Sequence, residues 1–244
     1  MRVEMMPGDL IELVSQELNR DTRIDTLRHP ISLLFRDNTL VLEGTVEDIV
    51  AKKRAVSAAK RVAGEVPVID RLRIACIEPV EDGALRNQAL YILQNEPSFL
   101  DYGLRLYRNG MWEEARPPRA DSTGMIEISA EGGVVRLSGQ VGSLSHLRLA
   151  ETLLWWIAGC ELAENHLRVV PEELDNDDEI SDAVRLILEK DPLVHASQLS
   201  IQVKDRVVTL EGFVASQEEK KLAALDAWYV PGVTEVCDNI QARI

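Results

Sequence analysis

The side chains able to do chemistry are few and scattered. The four histidines, His29, His146, His166 and His195, fall at unrelated places and make no HExxH or other paired spacing. His29 precedes Pro30 in a loop-like stretch and reads as a surface histidine. Cys76, Cys160 and Cys237 are an odd set without a CxxC pair, which suggests neither a disulfide framework nor a zinc knuckle. They read as reduced, partly buried thiols. The run Asp175-Asn176-Asp177-Asp178-Glu179 offers the hard oxygen ligands calcium prefers. It lacks the sixth-position glycine and distal glutamate of an EF-hand loop, so a solvated linker is the expectation. No GxSxG motif or strand-turn-helix elbow presents a nucleophile, and the glycines do not cluster as in a phosphate loop. The expectation is therefore no enzyme, no cofactor and no metal site.

Charge narrows the partners. The 244 residues carry 27 Lys and Arg against 41 Asp and Glu, a net charge of -14, and the pI is about 4.8. Attraction to a phosphate backbone needs a basic surface, so a nucleic-acid partner is excluded. Capture by an anionic membrane would need a local basic patch that overrides the total. No stretch approaches the roughly 20 apolar residues that span a bilayer, and the N-terminal segment has acidic residues where a signal peptide needs an apolar core. A soluble cytoplasmic protein is expected, periplasmic if a leader was removed.

The elements that would hold any site are written three times. Leu40-Val-Leu-Glu-Gly-Thr-Val46 returns as Val135 to Val141 and as Val208 to Val214, each alternating like a half-buried strand and interrupted by a glycine. Before each copy lies another alternating triplet: Ile31/Leu33/Phe35, Ile126/Ile128/Ala130 and Leu199/Ile201/Val203. Turn residues join the two, at Arg36-Asp37-Asn38, Glu131-Gly132-Gly133 and Lys204-Asp205-Arg206, which predicts hairpins. A helical stripe precedes each hairpin: Leu10, Leu13, Val14 and Leu18; Leu85, Ala89, Ile92 and Leu93; Ile180, Val184, Ile187 and Leu188. Asp48, Ser143 and Ser216 are placed to cap a second helix, with Glu219 completing the spacing of a capping box.

One spacing ties the copies together. The motif glycine and the glycine closing the second helix are 20 residues apart each time: Gly44 and Gly64, Gly139 and Gly159, Gly212 and Gly232. A closing strand follows, as in Val66, Val68, Leu72 and Ile74, or Val233, Val236 and Ile240. The expected fold class is α+β: three tandem αββαβ domains. Their bounds are 7–77, 83–171 and 177–244. The middle one carries an insertion of about 22 residues, roughly 103–124, with Met111-Trp112 and Arg116-Pro117-Pro118-Arg119. Domains this small bury little of their unfolded surface, so the copies are expected to lean on one another or on a partner.

This pattern resembles the BON domain, named for bacterial osmotic-shock and nodulation proteins. The third copy carries the likeness best, in Val208-x-Leu210-x-Gly212-x-Val214 and Gly232-Val233-Thr234-Glu235-Val236-Cys237-Asp238-Asn239-Ile240. The first departs from it at Gly64-Glu65-Val66-Pro67 and the second at Gly159-Cys160-Glu161. The resemblance implies that each αββαβ copy is a three-stranded mixed sheet with two helices on one face. It implies binding, in relatives tied to the envelope, to stress and to phospholipid, and it carries over no catalytic residue.

Function is then sought where the copies differ. Four and three residues before the closing glycine, the first copy has Lys60 and Arg61, the second Trp155 and Trp156, the third Trp228 and Tyr229. Positions that tolerate full charge are expected to lie off the core, leaving these aromatics for interfaces. They are the interaction candidates together with Trp112. They serve packing between copies, self-association or a protein partner; a membrane lipid is the alternative partner, and a cytosolic ion or small-ligand sensor a further alternative. Lys52, Lys53, Arg54, Lys60 and Arg61 form the one dense basic cluster and are the candidates for a lipid-facing surface. The six repeat glycines are expected to be structural.

Overall fold

Every hairpin turn places two successive residues at positive φ: Asp37-Asn38, Asn109-Gly110, Gly132-Gly133 and Asp205-Arg206. Such two-residue turns match the right-handed twist of the strands they join, and around them the chain repeats one unit. The computed structural model describes residues 6–76, 78–119 and 124–243. The chain divides into two compact units, Met1–Ala75 and Cys76–Ile244.

The first unit runs α1 (Pro7–Arg20), β1 (Ile31–Arg36), β2 (Thr39–Val46), α2 (Ile49–Ala63) and β3 (Val68–Ile74). Strand order is β1-β2-β3, antiparallel then parallel. Proline in the first turn favours the start of α1, and the Asp48 carboxylate accepts from Ala51 N to start α2. Leu10, Val14 and Leu18 of α1 and Ala55 and Ala59 of α2 pack on Leu40, Leu42, Val46 and Leu72, so both helices cover the same sheet face. Leu13, expected on that stripe, is exposed.

Gly44 sits opposite Ile31 in one direction and Leu72 in the other. With φ at +135°, an added Cβ would lie 2.6 Å from Pro30 O. Gly139 and Gly212 repeat this against Met125 O and Gln198 O, each at 2.1 Å. The interruption in each motif strand is thus where the backbone of the entering chain passes too close for any side chain.

The second unit holds two further copies. One comprises α3 (Asp82–Asn95), β6 (Met125–Glu131), β7 (Val134–Val141), α4 (Leu144–Trp155) and β8 (Leu162–Val169). The other comprises α5 (Asp177–Lys190), β9 (Leu199–Lys204), β10 (Val207–Val214), α6 (Gln217–Tyr229) and β11 (Glu235–Ala242), with sheet order β11-β10-β9. The middle copy departs from a three-stranded sheet. Its insertion supplies β4 (Gly103–Arg108) and β5 (Met111–Arg116), giving the five-stranded order β5-β4-β6-β7-β8. Leu104 and Leu106 alternate into the core, and β4 pairs in parallel with β6.

Polar groups pin the insertion at its root. The Arg116 guanidinium donates to Tyr102 O, Gln94 O and Phe99 O. The Tyr102 hydroxyl accepts from Gly142 N at 2.8 Å and lies 2.7 Å from His146 Nδ1. Residues 120–123 of the insertion lie outside the described residues. Helix α4 stops at Trp155, short of Gly159, with a turn between them.

The acidic linker also differs from expectation, because it packs. Glu173 accepts from Leu144 N at the start of α4, and Asp175 pairs with the buried Arg148. Asp177 accepts from the amides of Asp205 and Arg206, as Asp82 does from Gly132 and Gly133. Carboxylates in these places satisfy turn and helix-end amides that would otherwise lack partners. The Gly132 and then the Gly133 amide hold the Asp82 carboxyl below its usual range.

Candidate interaction surfaces

The basic helix α2 does not present a free positive face. Lys52 is only 5% exposed, and its Nζ donates to Asp70 at 2.7 Å and to Leu72 O at 2.6 Å, tying the helix to β3. Lys220 repeats this on Ile240 O and Asp238. Both lysines fall eight residues after their motif glycine, and both aspartates 26 after it. That shared offset marks a structural clamp. Arg54 pairs with Asp21 at 2.7 Å and Arg61 with Glu17 at 2.6 Å. Lys53 is half-buried and Lys60 exposed. Burial and pairing with α1 carboxylates thus leave little of the cluster to attract an anionic surface.

The helix aromatics are less exposed than the comparison with Lys60 and Arg61 suggests. Trp155 is 8% and Trp228 6% exposed, while Trp156 and Tyr229 are half-buried. Positions that are open in the first copy are thus buried or half-buried in the other two. Helix α4 packs on α5, and contacts run from the second copy to the third. Thr152 donates to Tyr229 O at 3.4 Å, and the Trp156 indole hydrogen-bonds the Asp226 carboxyl.

Charged groups close the rest of this seam. Arg148, buried on α4, donates to Pro231 O at 3.0 Å and pairs with Asp175. Lys190 at the end of α5 reaches Glu96 at the end of α3, at 2.6 Å. Burial pushes the Glu96 carboxyl up, but the hydrogen bonds from Lys190 and Ser98 outweigh it, and the group titrates below its usual range. Arg148, Asp191 and Asp226 were not among the residues the sequence singled out. Arg148 has no local signal, since its partners lie 27 and 83 residues away. Asp226 had one: its place is filled by Ala58 and Leu153 in the other copies.

Trp112 lies elsewhere, on β5. It pairs with Tyr107 across the β4–β5 hairpin, ring centroids 5.2 Å apart, and both rings are 42% exposed. Met111 beside them is exposed as well. β5 forms one edge of the five-stranded sheet, and none of its first five residues is buried from solvent. An edge strand leaves a row of backbone donors and acceptors open to another chain, and Glu113 and Glu114 on it discourage indiscriminate pairing.

The reactive residue types stay apart. Cys160 is buried, and burial pushes its thiol up to about 12, so it forms no thiolate near neutrality. His195 Nδ1 meets Glu219 at 2.8 Å, and the same carboxylate accepts from His195 N and Ala215 N, an arrangement that anchors a loop to α6. Among the described residues no group of three or more His, Cys, Asp or Glu converges as metal ligands, and no helix is long and apolar enough to cross a membrane.

Repeated αββαβ units, with both helices on one sheet face and a glycine-broken central strand, define a class of small α+β domain. The BON domain model matches residues 8–76, 118–171 and 176–243, and the chain belongs to that family. The second match begins beyond β5, so α3 and the inserted hairpin are supplied by the structure and not by the family pattern. BON domains are associated with membrane and phospholipid binding and with stress proteins. No curated protein matches the chain. Several solved chains match, two of them as follows. The C-terminal domain of CdsD, a structural protein of the type III secretion system of Chlamydia trachomatis, is 13% identical, with 99% of this chain and 100% of that chain covered and a TM-score of 0.25. A second CdsD structure is 14% identical over 95% and 91%, with a TM-score of 0.24. Likeness at that level carries no conclusion about this chain.

Proposed function

We propose that this chain is a non-enzymatic assembly protein that associates with its own kind through the inserted β4–β5 hairpin, while the aromatics of α4 and α6 join its second and third copies internally. The observation that carries the reading is the exposed Tyr107–Trp112 pair on an unpaired sheet edge, beside exposed Met111. Large exposed aromatics next to an open edge offer both apolar area and backbone pairing, the two components of strand-addition interfaces.

The lipid alternative rests on the family association, and the pairing of the α2 cations weakens its electrostatic basis. Native mass spectrometry over a concentration series tests the proposal. Dimers or larger species are expected for the wild type, and Tyr107→Ser/Trp112→Ser is expected to weaken association at least about tenfold with little change in melting temperature. A monomeric wild type at about 100 μM, weaker than nearly all specific interfaces, would sink the reading.

A further inference from the structure

The carboxylates at the ends of the three first helices are treated differently. Asp21 closes α1, Glu96 closes α3 and Asp191 closes α5. A carboxylate at a helix C-terminus is electrostatically unfavourable unless something offsets it. Asp21 has Arg54 and Glu96 has Lys190. Asp191 faces a second carboxyl, that of Asp226 on α6.

Asp226 is 4% exposed, and its Oδ2 has no hydrogen-bond partner. Around it, α5 contributes Asp191, with neighbouring Lys190 already engaged by Glu96. The turn that ends α4 contributes the uncharged indole of Trp156, and α4 itself the buried Arg148, already engaged by Asp175 and Pro231 O. Arg148, Lys190 and Lys220 on these helices are paired with other carboxylates, those of Asp175, Glu96 and Asp238. Trp156 belongs to the second copy and both aspartates to the third, so the group sits in the seam that joins the two copies.

We propose that Asp191 and Asp226 form a proton-operated joint, in which a proton on Asp226 keeps the second and third copies closed on each other and its loss lets them part. Burial first, and then the Asp191 charge, raises the Asp226 carboxyl from 3.8 to about 8. The direction of the effect follows from linkage. The closed form holds a proton that the open, solvated form releases near the ordinary carboxylate value. Closure is therefore favoured most at low pH. The opening constant rises about tenfold per pH unit between about 4 and 8 and levels off above that, where both forms are ionised. Near neutrality the joint lies on the steep part of this curve, so a change of one pH unit is read out directly.

Hydrogen exchange of the full chain, corrected for the intrinsic pH dependence of amide exchange, tests this between pH 5.5 and 9. Amides of 152–158 and 224–230 report on the seam, and those of β6 and β7 serve as the internal reference. The wild type is expected to show the tenfold-per-unit slope at the seam with a break near 8, while the reference amides stay flat. Asp226→Asn keeps an acceptor for the indole and is expected to remove the slope. It should also lower opening at pH 8 by at least about tenfold. Asp191→Asn, which leaves Asp226 in place, is expected to move the break to lower pH. A wild-type seam flat with pH, a slope that survives Asp226→Asn, or the same slope in β6 and β7 would overturn the joint.

Discussion

Helices α2 and α4 occupy the same place in two copies of one fold and solve opposite problems. On α2 the positions before the closing glycine are Lys60 and Arg61, one exposed and the other paired with Glu17 on the neighbouring helix of its own copy. At the end of α4 they are Trp155 and, in the turn that follows, Trp156, the first buried and the second bonded to Asp226 of the next copy. The core of each copy is made elsewhere, by residues such as Ala55 and Ala59 or Ala150 and Leu154, although α4 ends at Trp155 where α2 runs on to Ala63. The family pattern thus fixes the domain, and a few side chains outside its core decide whether one domain becomes part of a larger body.

That contrast can be broken by substitution. Trp155→Ser is expected to cost about 3–5 kcal/mol, the usual loss for removing a large buried aromatic, read as a lower midpoint in chemical denaturation. A loss below about 1 kcal/mol, the ordinary cost of a random substitution, would mean that the seam does not depend on it. Within α2 itself, Lys52→Ala is expected to cost about 2 kcal/mol, below the range for a fully buried ion pair because Asp70 keeps some solvent contact. Lys60→Ser/Arg61→Ser is expected to change stability by no more than about 0.5 kcal/mol. If all three basic positions proved equally neutral, the division of the cluster into clamp and surface would fail.

Much of the fold was legible because backbone constraints leave local marks. Glycines at positive φ under a passing carbonyl cannot be replaced cheaply, so their spacing survives where side chains diverge. The inserted strands were also written, in alternating Leu104 and Leu106 and in Asn109-Gly110, a strong hairpin signal. They were read as an insertion because neither hairpin strand has a counterpart in the other copies. Reading the aromatics as off the core of their own copy left packing between copies, self-association or a partner open, and the burial of Trp155 and Trp228 leaves little of those two rings to an outside partner. The seam's charged members were hidden: Arg148 and Lys190 find partners 27 to 94 residues away in sequence, and no periodicity records such contacts.

The central claim is that the second and third copies are energetically one body. Arg148 belongs to the second copy, while its partners Asp175 and Pro231 lie in the linker and in the third. Hydrogen exchange of Arg148→Ala at a fixed pH tests the coupling most directly. The account predicts that protection falls in α5 and α6 as well as in α4, by at least about tenfold, in keeping with the loss of a buried ion pair. Loss of protection confined to α4, with α5 and α6 unchanged, would show two copies that merely touch.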